Sequence, residues 1–206
     1  IPGLLVAAGD LGAQLLLNGR DFLPTEFNTT AEDLSSSTTL PPVSVACAVQ
    51  AARLVDGSLS KSVIAQGLQQ VNLLGRFQQI DIEGIRLILD VAHNPQATEL
   101  LAQRLSSTNH RIIAVAGIMA DKDISAMLPR ATTARKLAAL LYNVKVSINA
   151  LGVGNVVENK SPVAALQAAL DNASIGDTVV VFGSFFTVGP VLQWLNHGQK
   201  GSVSGG

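Results

Sequence analysis

One cysteine in 206 residues rules out any disulfide within the chain and any C-x-x-C redox or zinc motif. That residue, Cys47, lies in the apolar run VACAVQAA and reads as a small buried hydrophobe, kept reduced in a cytoplasmic setting. Aromatic residues make up 4% of the chain, too few for a base-stacking surface, and a formal net charge of −1 supplies no basic field for nucleic acid or an anionic membrane. With three histidines and no H-E-x-x-H or paired-His pattern, a transition metal held by these side chains alone is not expected. A nucleophile elbow of the G-x-S-x-G kind is missing, which removes the common serine hydrolase pattern. Missing too is a G-x-x-x-x-G-K-[ST] loop, the backbone cradle for a triphosphate.

What is present is apolar: 48% hydrophobic residues against 14% charged fill the core of one good-sized domain, or one and a half. The opening IPGLLVAAGDLGAQLLL has no initiating Met and no basic region, and Asp10 interrupts it, so a signal peptide is not expected and a chain beginning at Ile1 looks cut. The stretch from Thr178 to Asn196 has no formal charge over a bilayer-spanning length. Its β-branched VVVF, its GS break and the following Gly189, Pro190 and Gln193 suit a buried strand, a turn and a helix instead. No membrane association is expected.

Residues 11–18 read as helical, and 20–43 as a polar loop or eroded hairpin rich in Pro, Ser and Thr. Ser44 reads as the N-cap of a helix to Val55, and a second helix runs from about Ser60 to Val71. From Gly75 the rhythm changes. Strand FQQIDI, the turn EG, strand RLILD, a helix over 95–106, strand RIIAVAGI, helices over 123–130 and 162–172, strand TVVVF and a helix over 187–196 follow in order. This alternation predicts an α/β fold, with a Rossmann-like, mostly parallel sheet flanked by helices over 75–198. Residues 1–74 form a separate segment, 199–206 with GSVSGG read as a flexible tail, and 131–160 resist assignment.

In open α/β sheets, ligands bind beyond the carboxyl ends of the strands. Three loops here follow a hydrophobic strand and precede a helix: DVAHNP, GIMADKD and GSFFTVG. If these loops share one rim, as the strand-helix alternation predicts, Asp90, His93, Asn94, Asp121, Lys122, Asp123 and Ser184 are expected to converge there. Each residue also has a purely structural reading: Asp90 as a turn cap, Asn94 as an N-cap before Pro95, His93 as a loop imidazole, Asp123 as an N-cap, Ser184 as part of a tight turn. The GVGN at 152–155 lacks a third glycine and a clean preceding strand, and makes a poor dinucleotide fingerprint.

Taken together, LLGRFQQI, LDVAHNPQATELLAQRL, GIMADKDISAMLP and VVVFGSFFTVGPVL, in this order and spacing, resemble the C-terminal half of the bifunctional dihydrofolate synthase/folylpolyglutamate synthases, members of the Mur ligase-like superfamily. LLLNGRDF at 15–22 resembles the end of that family's N-terminal ATPase domain. The resemblance implies an ATP- and Mg²⁺-dependent ligase in which a carboxylate of dihydropteroate or a folate is phosphorylated and then attacked by the amine of L-glutamate. It implies that residues 1–74 are the end of an incomplete ATPase domain whose absent part carries the P-loop and the Mg²⁺ ligands. Residue by residue, Arg76 resembles an arginine that reaches the nucleotide phosphates and Asp90 an aspartate that contacts ATP. His93 and Ser184 resemble the pair that holds glutamate at the acyl phosphate. Lys122, Asp123 and Asn94 are further substrate-side candidates, with Asn94 more a shaper of its loop. Ser44 stands where the family commonly has a nucleotide-contacting asparagine, and Phe186 where His or Tyr is common. A cytoplasmic monomer is expected. Two alternatives stay open: a non-catalytic Rossmann-like module that binds folate or nucleotide, and the C-terminal part of a cell-wall Mur ligase.

Overall fold

The computed structural model describes residues 2–23, 40–117, 137–142 and 156–201, in two compact units, Ile1–Asn72 and Leu73–Gly206. This division falls within a few residues of the change in rhythm at Gly75.

In the first unit, helix α1 (Pro2–Asp10) precedes the segment expected to be helical, and 11–18 is not helix. Gly12 ends it. Its φ of 61° is left-handed, and the Gly12 and Ala13 N–H groups turn back onto the Gly9 and Ala8 carbonyls, the paired bonds of a Schellman stop. Helix α2 (Pro42–Val55) starts two residues before Ser44, because Pro42 fits the first helical position and Pro41 takes the capping site. Ser44 therefore lies inside the first turn, exposed, and does not cap. Cys47 is also exposed, contrary to the buried reading, because α2 turns Val45, Ala46 and Val49 inward and Cys47 away from them. Helix α3 (Lys61–Gln70) lies within the expected span and is capped by Ser60, and its Ile64 and Leu68 join a small core around Phe22, Val45, Ala46 and Val49.

The second unit is built on a six-stranded sheet in the order β1-β2-β6-β3-β4-β5. Strands β1 (Gln78–Ile82) and β2 (Ile85–Asp90) form the one antiparallel pair among the described residues, closed by Glu83 and Gly84 with φ of 52° and 82°, the two left-handed residues that a tight hairpin turn needs. The rest of the sheet is parallel: β6 (Thr178–Phe182) lies between β2 and β3 (Ile112–Gly117), and β4 (Leu137–Tyr142) and β5 (Val156–Glu158) continue it. Helix α4 (Pro95–Leu105) joins β2 to β3, α5 (Pro162–Asp171) joins β5 to β6, and α6 (Phe185–Gly201) follows β6. Strands β4 and β5 lie in the stretch that resisted assignment: LAALLY is built from residues that also favour helices, and β5 is only three residues long. Helix α6 begins two residues earlier than expected, where the Ser184 carbonyl accepts the Thr187 and Val188 N–H groups, and continues to Gly201 into the segment read as tail.

Alternation puts Leu87, Leu89, Ile113, Val115, Val179 and Val181 on one face, packed with Ala165, Leu166 and Ala169 of α5 and Val188 and Val191 of α6. The crossover β2-α4-β3 runs along the sheet in the opposite direction to β5-α5-β6, so right-handed connections put α4 on the other face. We expect Leu166→Ala, at a fully buried position, to lower the unfolding free energy by about 2–5 kcal/mol. Gln167→Ala, one residue along and exposed, is expected to change it by less than about 0.5 kcal/mol. Urea denaturation of the two variants checks both.

Candidate active site

The segments that leave β2 and β6 lead to helices on opposite faces of the sheet, α4 and α6, and the carboxyl ends of neighbouring strands that part in this way are where open sheets take ligands. Asp90 pairs with Phe182 across β2 and β6, and Ala116 of β3 pairs with the same Phe182. The segments after Asp90 and Phe182 therefore leave the sheet side by side, next to the end of β3.

Asp90 organises the β2 side. Its Oδ2 accepts the Phe77 N–H at 2.9 Å and its Oδ1 accepts the Ala92 N–H at 2.8 Å, so one carboxylate ties the loop before β1 to the loop after β2. Phe77 has φ 49°, a conformation that costs a bulky residue of order 1–3 kcal/mol. Two contacts hold it there: the bond to Asp90, and the Arg104 guanidinium stacked 4.2 Å from the centre of its ring. Arg76, the residue before, lies with its guanidinium 5.9 Å from the centre of the exposed Phe185 ring at the start of α6. Burial pushes the Asp90 carboxyl above its ordinary range, while the two N–H bonds and the charges of Arg76 and Arg104 pull the other way. Burial likewise pulls Arg104 down, with Asp90 opposing.

His93 and Asn94 continue the loop. The His93 Nδ1 lies 2.9 Å from the Val91 carbonyl. A carbonyl can only accept, so Nδ1 carries the proton in this arrangement, and the neutral ring keeps its lone pair at Nε2. Asn94 spends its side chain on structure: Oδ1 accepts the Ala97 N–H at 2.9 Å and caps α4, with Pro95 behind it.

The β6 side is held by contact between glycines. Gly183, at φ 122°, sits so close to Gly117 that a Cβ would overlap the Gly117 backbone, and a Cβ on Gly117 would overlap Thr187 Oγ1. Ser184 Oγ lies 3.1 Å from Thr187 Oγ1, and the buried Thr187 hydroxyl donates to the Gly117 carbonyl at 2.8 Å.

Arg76, Asp90, His93, Asn94 and Ser184 thus belong to neighbouring loops of one unit. Ser44 belongs to the first unit, and Lys122 and Asp123 lie outside the described residues, as do Asp121 and the GVGN segment. Phe77, Arg104, Thr187, Gly117 and Phe185 were not singled out from the sequence. GSFFT carried a usable signal for Thr187, three residues into a helix from Ser184 and so on the same face. Nothing in sequence spacing joins Arg104 to Phe77. Among the described residues no group of three or more His, Cys, Asp or Glu could hold a metal ion, and no helix is long and apolar enough to cross a membrane.

The model of the Mur ligase, glutamate ligase domain, matches residues 75–185, a range that holds Arg76, Asp90, His93, Asn94 and Ser184. The chain belongs to this family. It is 33% identical over 181 residues to the dihydrofolate synthase/folylpolyglutamate synthase of Escherichia coli (strain K12), covering 79% of this chain and 40% of that protein. The structure of E. coli FolC in complex with DHPP and ADP matches with a TM-score of 0.65 at 33% identity, covering 79% of this chain and 41% of that one. A bifunctional folylpolyglutamate synthase/dihydrofolate synthase with Mn, AMPPNP and L-glutamate bound matches with a TM-score of 0.73 at 26% identity, covering 94% of this chain and 50% of that one. The chain thus spans about half or less of the length of the relatives it matches, and its α/β sheet with flanking helices is the fold of this ligase domain.

A stability test follows from Asp90. Its native pKa is raised, so between the ordinary carboxyl value of about 3.9 and its native value the folded state binds more protons than the unfolded state. Asp90 therefore favours folding at low pH, and this contribution is lost as pH rises through that window. Asp21 and Asp56, exposed and held below their ordinary range by hydrogen bonds, act in the opposite direction. The difference between wild type and Asp90→Asn isolates the term. We expect the stability of the wild type relative to the variant to fall with rising pH from about 3.9 upward, followed by urea denaturation at successive pH values.

Proposed function

We propose that this chain is the glutamate-side portion of an ATP-dependent ligase of folate metabolism, one that joins L-glutamate to dihydropteroate or to a folate. The observation that carries the reading is the convergence of the DVAHNP and GSF loops at the β2–β6 crevice, linked by Arg76 over Phe185. The relatives reported above are named for folate rather than for cell-wall precursors, which favours the folate branch.

ATP supplies the phosphoryl group that turns the substrate carboxylate into an acyl phosphate. In this reading Arg76 meets anionic phosphate oxygens, a role that suits a planar cation with several donors. Asp90 sets the position of Arg76 through the neighbouring Phe77 N–H and stands on the nucleotide side. The glutamate amine attacks the acyl carbon, a C–N bond forms, the C–O bond to phosphate breaks, and phosphate leaves. The amine sheds a proton, and the lone pair at His93 Nε2 is the acceptor the loop offers. Ser184 holds the amino acid beside it. Lys122 and Asp123 are substrate-side candidates and Ser44 a nucleotide-side one. Mg²⁺ belongs, in this proposal, with residues outside this chain, together with the P-loop, and no step here depends on it. The 206-residue chain alone is therefore inactive, and the partner it needs is the N-terminal ATPase portion of the longer protein.

The test uses the complete protein as its gene encodes it. With dihydropteroate or a folate, it is expected to release ADP only when glutamate is present, while the 206-residue chain shows no turnover. Glutamate incorporation by the short chain would overturn the division of labour. In the complete protein, His93→Ala is expected to lower glutamate-dependent turnover by roughly 10²-fold or more, the ordinary range for loss of a general base, with a much smaller effect on the KM for ATP. Unchanged kcat and KM for glutamate would remove His93 from the site.

A further inference from the structure

We infer that Thr187 is a positioning residue that makes the Ser184 hydroxyl a hydrogen-bond acceptor only, so that it receives the amine end of the incoming amino acid and not its carboxylates. The inference rests on the glutamate-ligase reading above and adds to it which end of the amino acid Ser184 takes and which residue decides this.

The argument is a count of protons. A threonine hydroxyl has one, and Thr187 gives it to the Gly117 carbonyl at 2.8 Å. Within the 3.1 Å contact between Ser184 Oγ and Thr187 Oγ1, either oxygen is able to donate on geometry alone. Because the Thr187 proton is already committed to a carbonyl, which cannot donate in return, Ser184 is the donor. The chain of bonds runs Ser184 O–H to Thr187 O–H to Gly117 C=O. Its outer end is an oxygen with lone pairs and no proton to offer.

Thr187 is 2% exposed, so water is not free to replace the link, whereas Ser184 is only partly buried and its oxygen is reachable. The fit is enforced from both sides: the missing Cβ of Gly117 leaves the space that Thr187 Oγ1 fills, and the missing Cβ of Gly183 lets the Ser184 loop lie against Gly117. This is not how the other helix-leading serines behave. Ser60 and Ser161 accept the N–H groups of Val63 and Ala164, whereas Ser184 is joined to a side chain that fixes its polarity. A carboxylate needs donors and finds none in such a hydroxyl. An amine or ammonium N–H finds an acceptor there.

The experiment compares wild type, Ser184→Ala, Thr187→Val, Thr187→Ala and Thr187→Ser in the complete protein, reading KM for glutamate and for ATP separately. Thr187→Val, which keeps the shape and removes the hydroxyl, is expected to raise the glutamate KM roughly tenfold, the loss of one bond to a charged group, and to leave the ATP KM within about twofold. Thr187→Ser, which keeps the hydroxyl, is expected to stay near wild type. Thr187→Ala serves in place of the valine variant should the latter not fold, with the same expected split. Adding Thr187→Val to Ser184→Ala is expected to raise the glutamate KM no further. An unchanged glutamate KM in Thr187→Val or Thr187→Ala, alongside a raised one in Ser184→Ala, overturns the inference and leaves the site reading intact. Equal rises in both KM values, or failure of Thr187→Ser to restore the glutamate KM, also overturns it. A wild type that does not ligate glutamate, or a Ser184→Ala with unchanged glutamate KM, overturns the site reading and this inference with it.

Discussion

The last strand of the sheet lies between strands formed much earlier in the chain, and most of the second unit depends on that insertion. β6 pairs in parallel with β2 on one edge and β3 on the other, so its backbone is fully engaged and TVVVF is buried along its whole length. A charge anywhere in those five residues would have no water and no partner. The pairing of Arg86 with Thr178 joins residues 92 apart, and closing so long a loop costs chain entropy that the pairing must repay. The insertion also decides where chemistry can occur. With β6 in the middle, the segments leaving β2 and β6 lead to helices on opposite faces of the sheet, α4 and α6, so the loops after these two strands part at the place where open sheets take ligands.

Bringing those loops together places a carboxylate where burial opposes its charge. Asp90 stands at the end of β2 with its two oxygens bonded to N–H groups from segments on either side of the hairpin, and two arginines lie near enough to stabilise the ion. Burial still outweighs them, and the carboxyl is pushed up. The return for that cost is geometric. Phe77 stays in a backbone conformation that bulky residues avoid because its N–H is held by Asp90 and its ring by Arg104, and Arg76 leaves the chain from the adjoining position. Strain in one residue thus sets the direction of the next.

The parts of this fold that were readable in the sequence are those with strong local signals. The EG hairpin, the Asn94-Pro95 helix start and the β-branched TVVVF each combine a composition with one preferred backbone state, and all lie where expected. Competing local signals produced the errors. Ser44 suits an N-cap, but Pro41 and Pro42 set the helix start first; residues 11–18 look helical, but Gly12 has already ended α1. LAALLY carries no periodicity that separates strand from helix, so only its pairing with β3 makes it β4. The candidate site divides in the same way. Asp90, His93, Asn94 and Ser184 were legible because strand-to-loop boundaries mark them. Phe77 was not, since it meets Asp90 across the hairpin, and the spacing that puts Thr187 on the face of Ser184 gives no sign of its bond to Gly117 seventy residues back in sequence.

A common device runs through the crevice: its exposed polar groups are oriented by backbone carbonyls. The Val91 carbonyl fixes the proton of His93 on Nδ1, and the Gly117 carbonyl, through Thr187, takes the direction of the Ser184 hydroxyl. A carbonyl has no proton, so a hydroxyl in series with it donates inward and accepts outward, and a histidine ring that donates inward leaves its other nitrogen facing out. The loops after β2 and β6 consequently present lone pairs, while the positive charge at the rim comes from Arg76, anchored on the ring of Phe185. Acceptors and donors are thereby kept on separate groups. Backbone carbonyls in a sheet and beside a capped helix do not rotate with solvent, so this separation is a property of the fold itself and is present before any ligand arrives.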